Sequence, residues 1–254
     1  MHHAYIDRLS LMNSPVHRLD PRTKLVCTGL FCMLVVSWPQ ARLGWIALCL
    51  LPLGAAVVIS RLPLPYLLKR CVMLSPLAAT VAVFFPFTHA SGQVLASVGP
   101  LNLYADGLLL AGGILARFLL TVLAATVLAC STPFASLLKA MATLRVPRLF
   151  IMVLAFLYRY LFVLVDEADR MRRARDSRTP RPGGLGRFMA ARGMLGMLFI
   201  RAFDRSDRIY SAMLARGFDG NVQTMQQLSF GRADAAAAAA FAVYLCGVVA
   251  VLRM

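Results

Sequence analysis

The sequence predicts an all-α polytopic membrane protein with about five transmembrane helices and a helical cytoplasmic domain inserted before the last of them. Three observations predict this fold class. The 254 residues are 59% hydrophobic and only 15% charged, a composition too apolar for a soluble domain of this length. Several apolar runs approach the roughly 20 residues that a spanning helix needs. The net charge of +16 is concentrated between those runs, as expected for segments that flank a membrane.

Five apolar runs are the predicted spans. They are residues 25–38, 43–60, 71–87, 106–130 and 233–252. The first is short and ends before Pro39, and the tight turn after it predicts a helical hairpin with the second. Pro76 and Pro86 lie inside the third, where neighbouring helices can cover the carbonyls that proline leaves unbonded. The fourth is the strongest, although it contains Arg117.

The distribution of Lys and Arg predicts the orientation. Basic residues precede the first span and separate the second from the third, whereas residues 88–105 contain neither Lys nor Arg. Under the positive-inside rule, the N-terminus and residues 131–232 then lie in the cytoplasm. The predicted domains are therefore residues 1–130 in the membrane, residues 131–232 beneath it, and residues 233–254 as a last transmembrane helix. The first 24 residues lack the apolar core of a signal peptide, so the N-terminus is expected to be retained.

Residues 149–165 are a further apolar run, and the sequence leaves open whether it enters the bilayer. If it spanned the membrane, the basic segment after it would face outside, against the charge rule. We therefore predict a helix along or just inside the cytoplasmic interface that continues through residues 166–178. The Pro- and Gly-rich residues 180–184 then break it.

A second cytoplasmic helix is predicted over residues 185–216, with Gly217 and Gly220 as stop signals. Three arginines recur along it at helical spacing and share one side: Arg201, Arg205 and Arg208. For most of these arginines the sequence favours a solvated charged face. A second side is predicted to pack on another helix and is formed by Phe203, Tyr210, Met213 and Gly217.

The sequence carries no catalytic constellation and no metal site. It has one glutamate, Glu167, and its six cysteines lie in apolar runs without a Cys-x-x-Cys pair. The terminal His2 and His3 are expected to be solvated rather than metal ligands. No phosphate-binding Gly-x-x-x-x-Gly-Lys-Ser/Thr loop is present, so the chain itself is expected to bind no cofactor. The basic charge is attributed to retention beside a membrane, and no nucleic-acid partner is predicted.

Two Ala-Arg segments are the candidate functional residues. They are Ala174, Arg175 and Asp176 in the first segment, and Ala215, Arg216 and Gly217 in the second. Small neighbours let a partner surface approach closely, and a guanidinium can make a forked bond to a carboxylate. The pattern indicates two docking sites for a soluble partner, of which Arg216 at its helix end is the stronger.

The order of these features resembles the transmembrane T component of energy-coupling factor transporters, and most closely its cobalt-transport branch, CbiQ. The N-terminal Asp7-Arg8-Leu9, followed by Ser-Pro-Val-His-Arg-Leu-Asp-Pro-Arg-Thr-Lys at residues 14–24, resembles the opening of that branch. Residues 172–178 resemble its first signature and residues 208–220 its second.

The resemblance implies a scaffold above two ATP-binding cassette ATPase subunits, which use the ATP. Two coupling helices insert into grooves on those subunits, with Ala174 and Arg175 in one groove and Ala215, Arg216 and Gly217 in the other. Asp176 departs from the Ala-Arg-Gly pattern of the family. The other implied partners are a substrate-binding membrane subunit similar to CbiM, with or without a small CbiN-like subunit, and the lipid bilayer of a bacterial inner membrane.

Several functions remain alternatives at this point. Within the resemblance, the cargo is cobalt, with nickel or a vitamin as the alternative. A different class is an integral membrane enzyme that processes lipids, which the missing acidic or nucleophilic cluster disfavours. A third class is a basic membrane-surface anchor without a nucleotide-dependent partner.

Overall fold

The computed structural model describes residues 14–37, 43–88, 94–98, 101–178, 184–220 and 230–253. Within these residues the helices are α1 (Pro15–Arg18), α2 (Pro21–Ser37), α3 (Leu43–Ser60), α4 (Leu64–Thr88), α5 (Ala105–Ser131), α6 (Phe134–Thr143), α7 (Arg148–Arg178), α8 (Gly184–Ala215) and α9 (Arg232–Arg253). The strands β1 (Val94–Val98) and β2 (Leu101–Tyr104) form one antiparallel hairpin. The protein is thus an all-α polytopic membrane protein that carries a short β-hairpin.

The chain folds as two compact units. The discontinuous unit comprises residues 4–140 and 228–254, and the inserted unit comprises residues 141–227 with residues 1–3. The predicted domains also assign a side of the membrane to each part, which this division does not test, so that assignment stays a prediction.

Every predicted helix has a counterpart in the structure. The second span was expected at residues 43–60 and is α3, while the predicted cytoplasmic helix at residues 185–216 is α8, Gly184–Ala215. Both prolines of the third span lie inside the continuous helix α4. The predicted turn after residue 38 lies outside the described residues, and so does the break predicted at residues 180–184 apart from Gly184, which is the first residue of α8.

The β-hairpin was not predicted. It occupies the segment without Lys or Arg between α4 and α5. Val98 pairs with Leu101, and the register shifts between Val94 and Ala96. Two residues separate the strands, a spacing typical of a hairpin.

The core of the discontinuous unit lies among α2, α3, α5 and α9. Its buried apolar side chains are Phe31, Val35, Cys49, Leu53, Leu120, Ala124 and Val248. The phenol of Tyr244 in α9 donates a hydrogen bond to the carbonyl of Leu48 in α3 at 2.9 Å. Because Tyr244 is part of an apolar segment, this bond supplies a partner for its polar end.

Helix α5 approaches α4 closely at one glycine. A Cβ on Gly107 would lie 2.7 Å from the Cα of Pro86 and 2.8 Å from the carbonyl oxygen of Phe85. Both are backbone atoms that cannot rotate away, so only glycine allows the two helices this contact.

Four helices among the described residues are long and apolar enough to cross a membrane. They are Leu64–Phe87, Ala105–Ser131, Arg148–Arg178 and Arg232–Ala250. The predicted count of about five differs because it includes residues 25–38 and 43–60, which are not among these four helices. It also leaves out residues 149–165, which were predicted to lie at the interface. Their helix is long and apolar enough to span a membrane, so the interfacial placement stays a prediction.

Candidate docking site

The first Ala-Arg segment lies at the C-terminal end of α7, which ends two residues after Asp176. Ala174 and Asp176 are exposed, and Arg175 keeps 27% of its side chain exposed. The guanidinium of Arg175 donates two hydrogen bonds to one oxygen of the adjacent Asp176, at 3.0 Å from Nε and 2.8 Å from Nη2. The Nε of Arg172 lies 4.0 Å from the other oxygen of that carboxylate. The first docking arginine is therefore already paired within its own helix.

The second segment ends helix α8 with a defined backbone motif. The amide of Phe218 donates to the carbonyl of Met213, and the amide of Gly217 donates to the carbonyl of Leu214, both at 3.0 Å. This pair of bonds is the Schellman motif, whose penultimate residue must adopt a left-handed conformation. Gly217 has φ of 76°, so the structure confirms it as the predicted stop signal.

Arg216 lies between the last helical residue and Gly217 and is exposed. Among the described residues its guanidinium makes no hydrogen bond and no ion pair. Its position is set by the backbone bond from its own amide to the carbonyl of Met213 at 3.0 Å. The second docking arginine is thus held by the helix cap and left available for an outside carboxylate.

The two helices are joined by the one glutamate of the chain. Glu167 of α7 accepts a hydrogen bond from Arg201 of α8 through one oxygen. Its other oxygen accepts from Arg170, at 3.1 Å from Nε and 2.7 Å from Nη2. The Glu167 side chain is 18% exposed, whereas both arginines are more than half exposed. This ion pair connects α7 and α8 at one point along their lengths.

The docking segments lie on opposite sides of that point. One cavity between the helices is lined by α7 residues that precede Glu167 and by α8 residues that follow Arg201, while Glu167 itself meets Arg201, so the helices run antiparallel. Arg175 is eight residues beyond Glu167, or roughly 12 Å at 1.5 Å per residue. Arg216 is fifteen residues beyond Arg201, or roughly 22 Å, in the opposite direction.

One prediction about the faces of α8 is confirmed and the other holds only in part. Arg201, Arg205 and Arg208 share one side, because all three line the same cavity. Of the residues expected to pack on another helix, Met213 lines the cavity against α7, whereas Phe203 and Tyr210 are 59% and 56% exposed. The side facing α7 also includes Ala202 and Ile209, each one position before an exposed aromatic residue.

The N-terminal motif folds into a buried polar cluster that was not predicted from the sequence. The ammonium of Lys24 donates to the carbonyls of Ser131 at 2.9 Å and His17 at 3.2 Å. The amide of Asp20 donates to Asp234 at 2.6 Å, and the other oxygen of Asp234 accepts from the amide of Gly231 at 2.8 Å. The motif thereby binds the end of α5 and the start of α9.

Burial lowers the pKa of Lys24 to about 8, although the negative charges of Asp234 and Asp20 raise it. The partly desolvated ammonium is tolerated because two carbonyls and one hydroxyl accept its hydrogen bonds in place of water. The available signal was a lysine and an aspartate at the starts of two apolar runs, where opposite charges can neutralise each other. The cluster is an anchor within the discontinuous unit and includes none of the predicted docking residues.

The described residues hold no group of three or more His, Cys, Asp or Glu side chains that could bind a metal. All six cysteines are free thiols.

Comparison with known proteins assigns a family. The profile of the CbiQ family, described as cobalt transport protein, matches residues 12–227. The energy-coupling factor transporter transmembrane protein EcfT of Limosilactobacillus fermentum is 30% identical over 242 residues, which cover 90% of each chain. The protein of the same name in Leuconostoc gelidum is 31% identical over 258 aligned residues, or 94% of each chain. The EcfT of Bacillus subtilis is 29% identical over 223 residues, or 82% of each chain.

Proposed function

This chain belongs to the CbiQ family as the transmembrane component of an energy-coupling factor transporter, and from this premise we propose that it transmits the motion of two ATPase subunits to a substrate-binding membrane subunit during cobalt uptake. Such a component is a transporter subunit and not an enzyme, so the lipid-processing alternative falls away. In this proposal the chain binds no nucleotide, and the ATP-binding cassette subunits use the ATP.

The observation that carries the proposal is the arrangement of the two arginine segments. Each lies at the exposed C-terminal end of a long helix, and the two ends lie on opposite sides of the Glu167–Arg201 ion pair. Two separate partners can therefore bind one arginine end each without competing for the same surface. An arginine flanked by small residues suits a groove that contains a carboxylate.

The helix pair also suits the transmission of motion. Helices α7 and α8 have 31 and 32 residues, and long helices displace one end when the other is moved. If ATP draws the two ATPase subunits together, Arg175 and Arg216 move towards each other and the angle between α7 and α8 changes. That change reaches the membrane through the apolar first half of α7.

The charge distribution supports a cytoplasmic location for the inserted unit. Residues 131–232 carry 17 Lys and Arg against 7 Asp and Glu, a net charge of +10. Under the positive-inside rule this stretch and the N-terminus face the cytoplasm, in a bacterial inner membrane.

Cobalt is the proposed cargo because the family is described by cobalt transport and the N-terminal motif resembles the cobalt branch. The three relatives reported above share a name that specifies no cargo, so nickel and vitamins are the alternatives. Two experiments distinguish these cargoes. The complex is isolated from native membranes and its substrate-binding subunit is identified, and uptake is assayed with cobalt, nickel and vitamins. A CbiM-like subunit together with cobalt uptake supports the proposal, and a vitamin-binding subunit contradicts the choice of cargo.

The coupling role is tested by reversing both docking charges. The double variant Arg175→Glu/Arg216→Glu should abolish uptake and release the ATPase subunits during purification, because each partner carboxylate then faces a like charge. A matched control is Arg145→Glu/Arg192→Glu, which makes the same change in net charge at exposed positions of the same unit. Uptake and co-purification at the level of the control would overturn the proposal.

A further inference from the structure

Two adjoining cavities lie between α7 and α8. The first has a volume of about 250 Å³ and is lined mainly by apolar side chains, among them Phe156, Tyr160, Val163, Ile209 and Met213. It opens to the surface of the inserted unit, and no described residue fills it. Aromatic and aliphatic walls of this kind favour an apolar occupant.

The second cavity is charged. It has a volume of about 220 Å³ and is lined by three arginines and two acids: Arg201, Arg205, Arg208, Glu167 and Asp204. Arg201 is neutralised by its ion pair with Glu167. Although Asp204 is spaced to pair with Arg208, no ion pair within 4.0 Å joins them among the described residues. The side chains that line the cavity therefore carry one net positive charge. No described residue binds the guanidinium groups of Arg205 and Arg208.

The two cavities form one continuous crevice. Leu164, Ala202 and Arg205 line both of them. The apolar chamber thus lies directly beside the cationic one, with Ala202 in the lining of both. The chemistry that fits both chambers at once is an amphiphile with an apolar chain and an anionic head.

We propose that this crevice binds an anionic phospholipid, with an acyl chain in the apolar chamber and the phosphate held by Arg205 and Arg208. Arginine makes forked bonds to phosphate oxygens, and a basic pocket beside apolar helical surface is the usual arrangement for an anionic headgroup. Free phosphate would leave the apolar chamber empty, whereas an apolar protein helix would leave the two arginines without an anion. The inference is independent of the proposed coupling to the ATPase subunits.

The test uses the full-length chain with its co-purifying subunits, reconstituted in phosphatidylcholine nanodiscs. A small fraction of phosphatidylglycerol carries a photoactivatable group in its acyl chain, and labelled peptides are located by mass spectrometry. We expect labels within residues 156–164 and 202–213. Arg205→Gln should reduce this labelling about tenfold, because a charge-assisted bond to the phosphate is lost. Arg205→Lys keeps the charge and should retain about half of the labelling or more.

The matched control is Arg192→Gln, which removes the same charge from an exposed position of α8 outside both cavities. Its labelling should equal that of the unmodified chain. Equal labelling by phosphatidylcholine that carries the same photoactivatable group would overturn the proposal, as would Arg205→Gln labelled as strongly as the control. A cross-link from these peptides to a co-purifying protein in place of lipid would assign the crevice to that protein and overturn it as well.

Discussion

The two docking ends use the same residue in different surroundings. At the end of α7, Arg175 is bound by Asp176 of its own helix, and the last turn continues to Arg178. At the end of α8, Arg216 has no side-chain partner among the described residues and is positioned by a Schellman cap that depends on Gly217. A partner that binds the first end must displace an internal ion pair, whereas a partner at the second end meets a guanidinium that no described residue binds. The second end is therefore expected to contribute more to docking.

The largest expected effect separates the two arginines. Arg216→Glu should weaken binding of the purified ATPase subunits about a hundredfold, and Arg175→Glu only about tenfold, because Asp176 already offsets part of the first charge. Equilibrium titration of the ATPase subunits onto the nanodisc-embedded chain measures both affinities. Arg192→Glu is the control for net charge and should bind as the unmodified chain does. Equal losses for the two docking variants would contradict the asymmetry.

A second prediction concerns the cap that positions Arg216. Gly217→Ala places a Cβ in the left-handed region, which costs about 1–2 kcal/mol. The cap should loosen, lowering ATPase affinity about fivefold while leaving the charge of Arg216 unchanged.

The control for that variant is Gly196→Ala, since Gly196 lies within the same helix and a Cβ there has no atom within 4 Å. This change should stabilise α8 by about 0.5–1 kcal/mol, because alanine loses less backbone entropy than glycine. Thermal unfolding measures both effects, and the same sign for the two variants would show that the cap does not depend on φ at residue 217.

The third prediction concerns the Glu167–Arg201 ion pair, which connects α7 with α8 and belongs to neither docking end. In a double-mutant cycle of Glu167→Gln and Arg201→Gln, thermal unfolding is expected to give a coupling energy of about 0.5–1 kcal/mol for this partly exposed pair. Uptake should fall roughly two- to threefold, because the ion pair between α7 and α8 is lost. ATPase binding should change little, because the arginines at the two helix ends are unaltered. Arg170→Gln removes only the bond within α7 and should leave uptake intact. Strictly additive single effects would show that the pair does not connect the helices energetically.

The last prediction, with the smallest change in affinity, concerns Asp176, the intrahelical partner of Arg175. Asp176→Asn releases Arg175 from its intrahelical partner at nearly constant volume, so ATPase affinity should rise about twofold. Asp207→Asn, an exposed aspartate in α8, makes the same charge change and should leave the affinity unaltered. A weaker complex with Asp176→Asn would mean that Asp176 itself binds the partner.

Local features of the fold were predictable from the sequence, since short-range chemistry determines them. Gly217 marks the end of α8 because few other residues accept φ of 76°. The continuous helix α7 follows from an apolar run that passes without a break into charged residues.

Features that join distant segments were not predictable. Glu167 and Arg201 are 34 residues apart, and nothing in either local pattern selects the other as a partner. The face that α8 turns towards α7 was predicted only in part: Met213 lies on it, whereas Phe203 and Tyr210 are exposed, because apolar character alone does not select one face of a helix. The docking role of the six Ala-Arg residues remains a prediction that the variants above address.

The bond between Asp20 and Asp234 has a consequence for biogenesis. It joins residues separated by 214 positions, with residues 141–227 of the inserted unit between them. At synthesis rates of 5–20 residues per second, the ribosome needs roughly 10–40 s to deliver Asp234 after Asp20 has emerged. Throughout that interval the N-terminal polar motif waits without its C-terminal partner, so the discontinuous unit closes only after translation of the helices that separate its two parts.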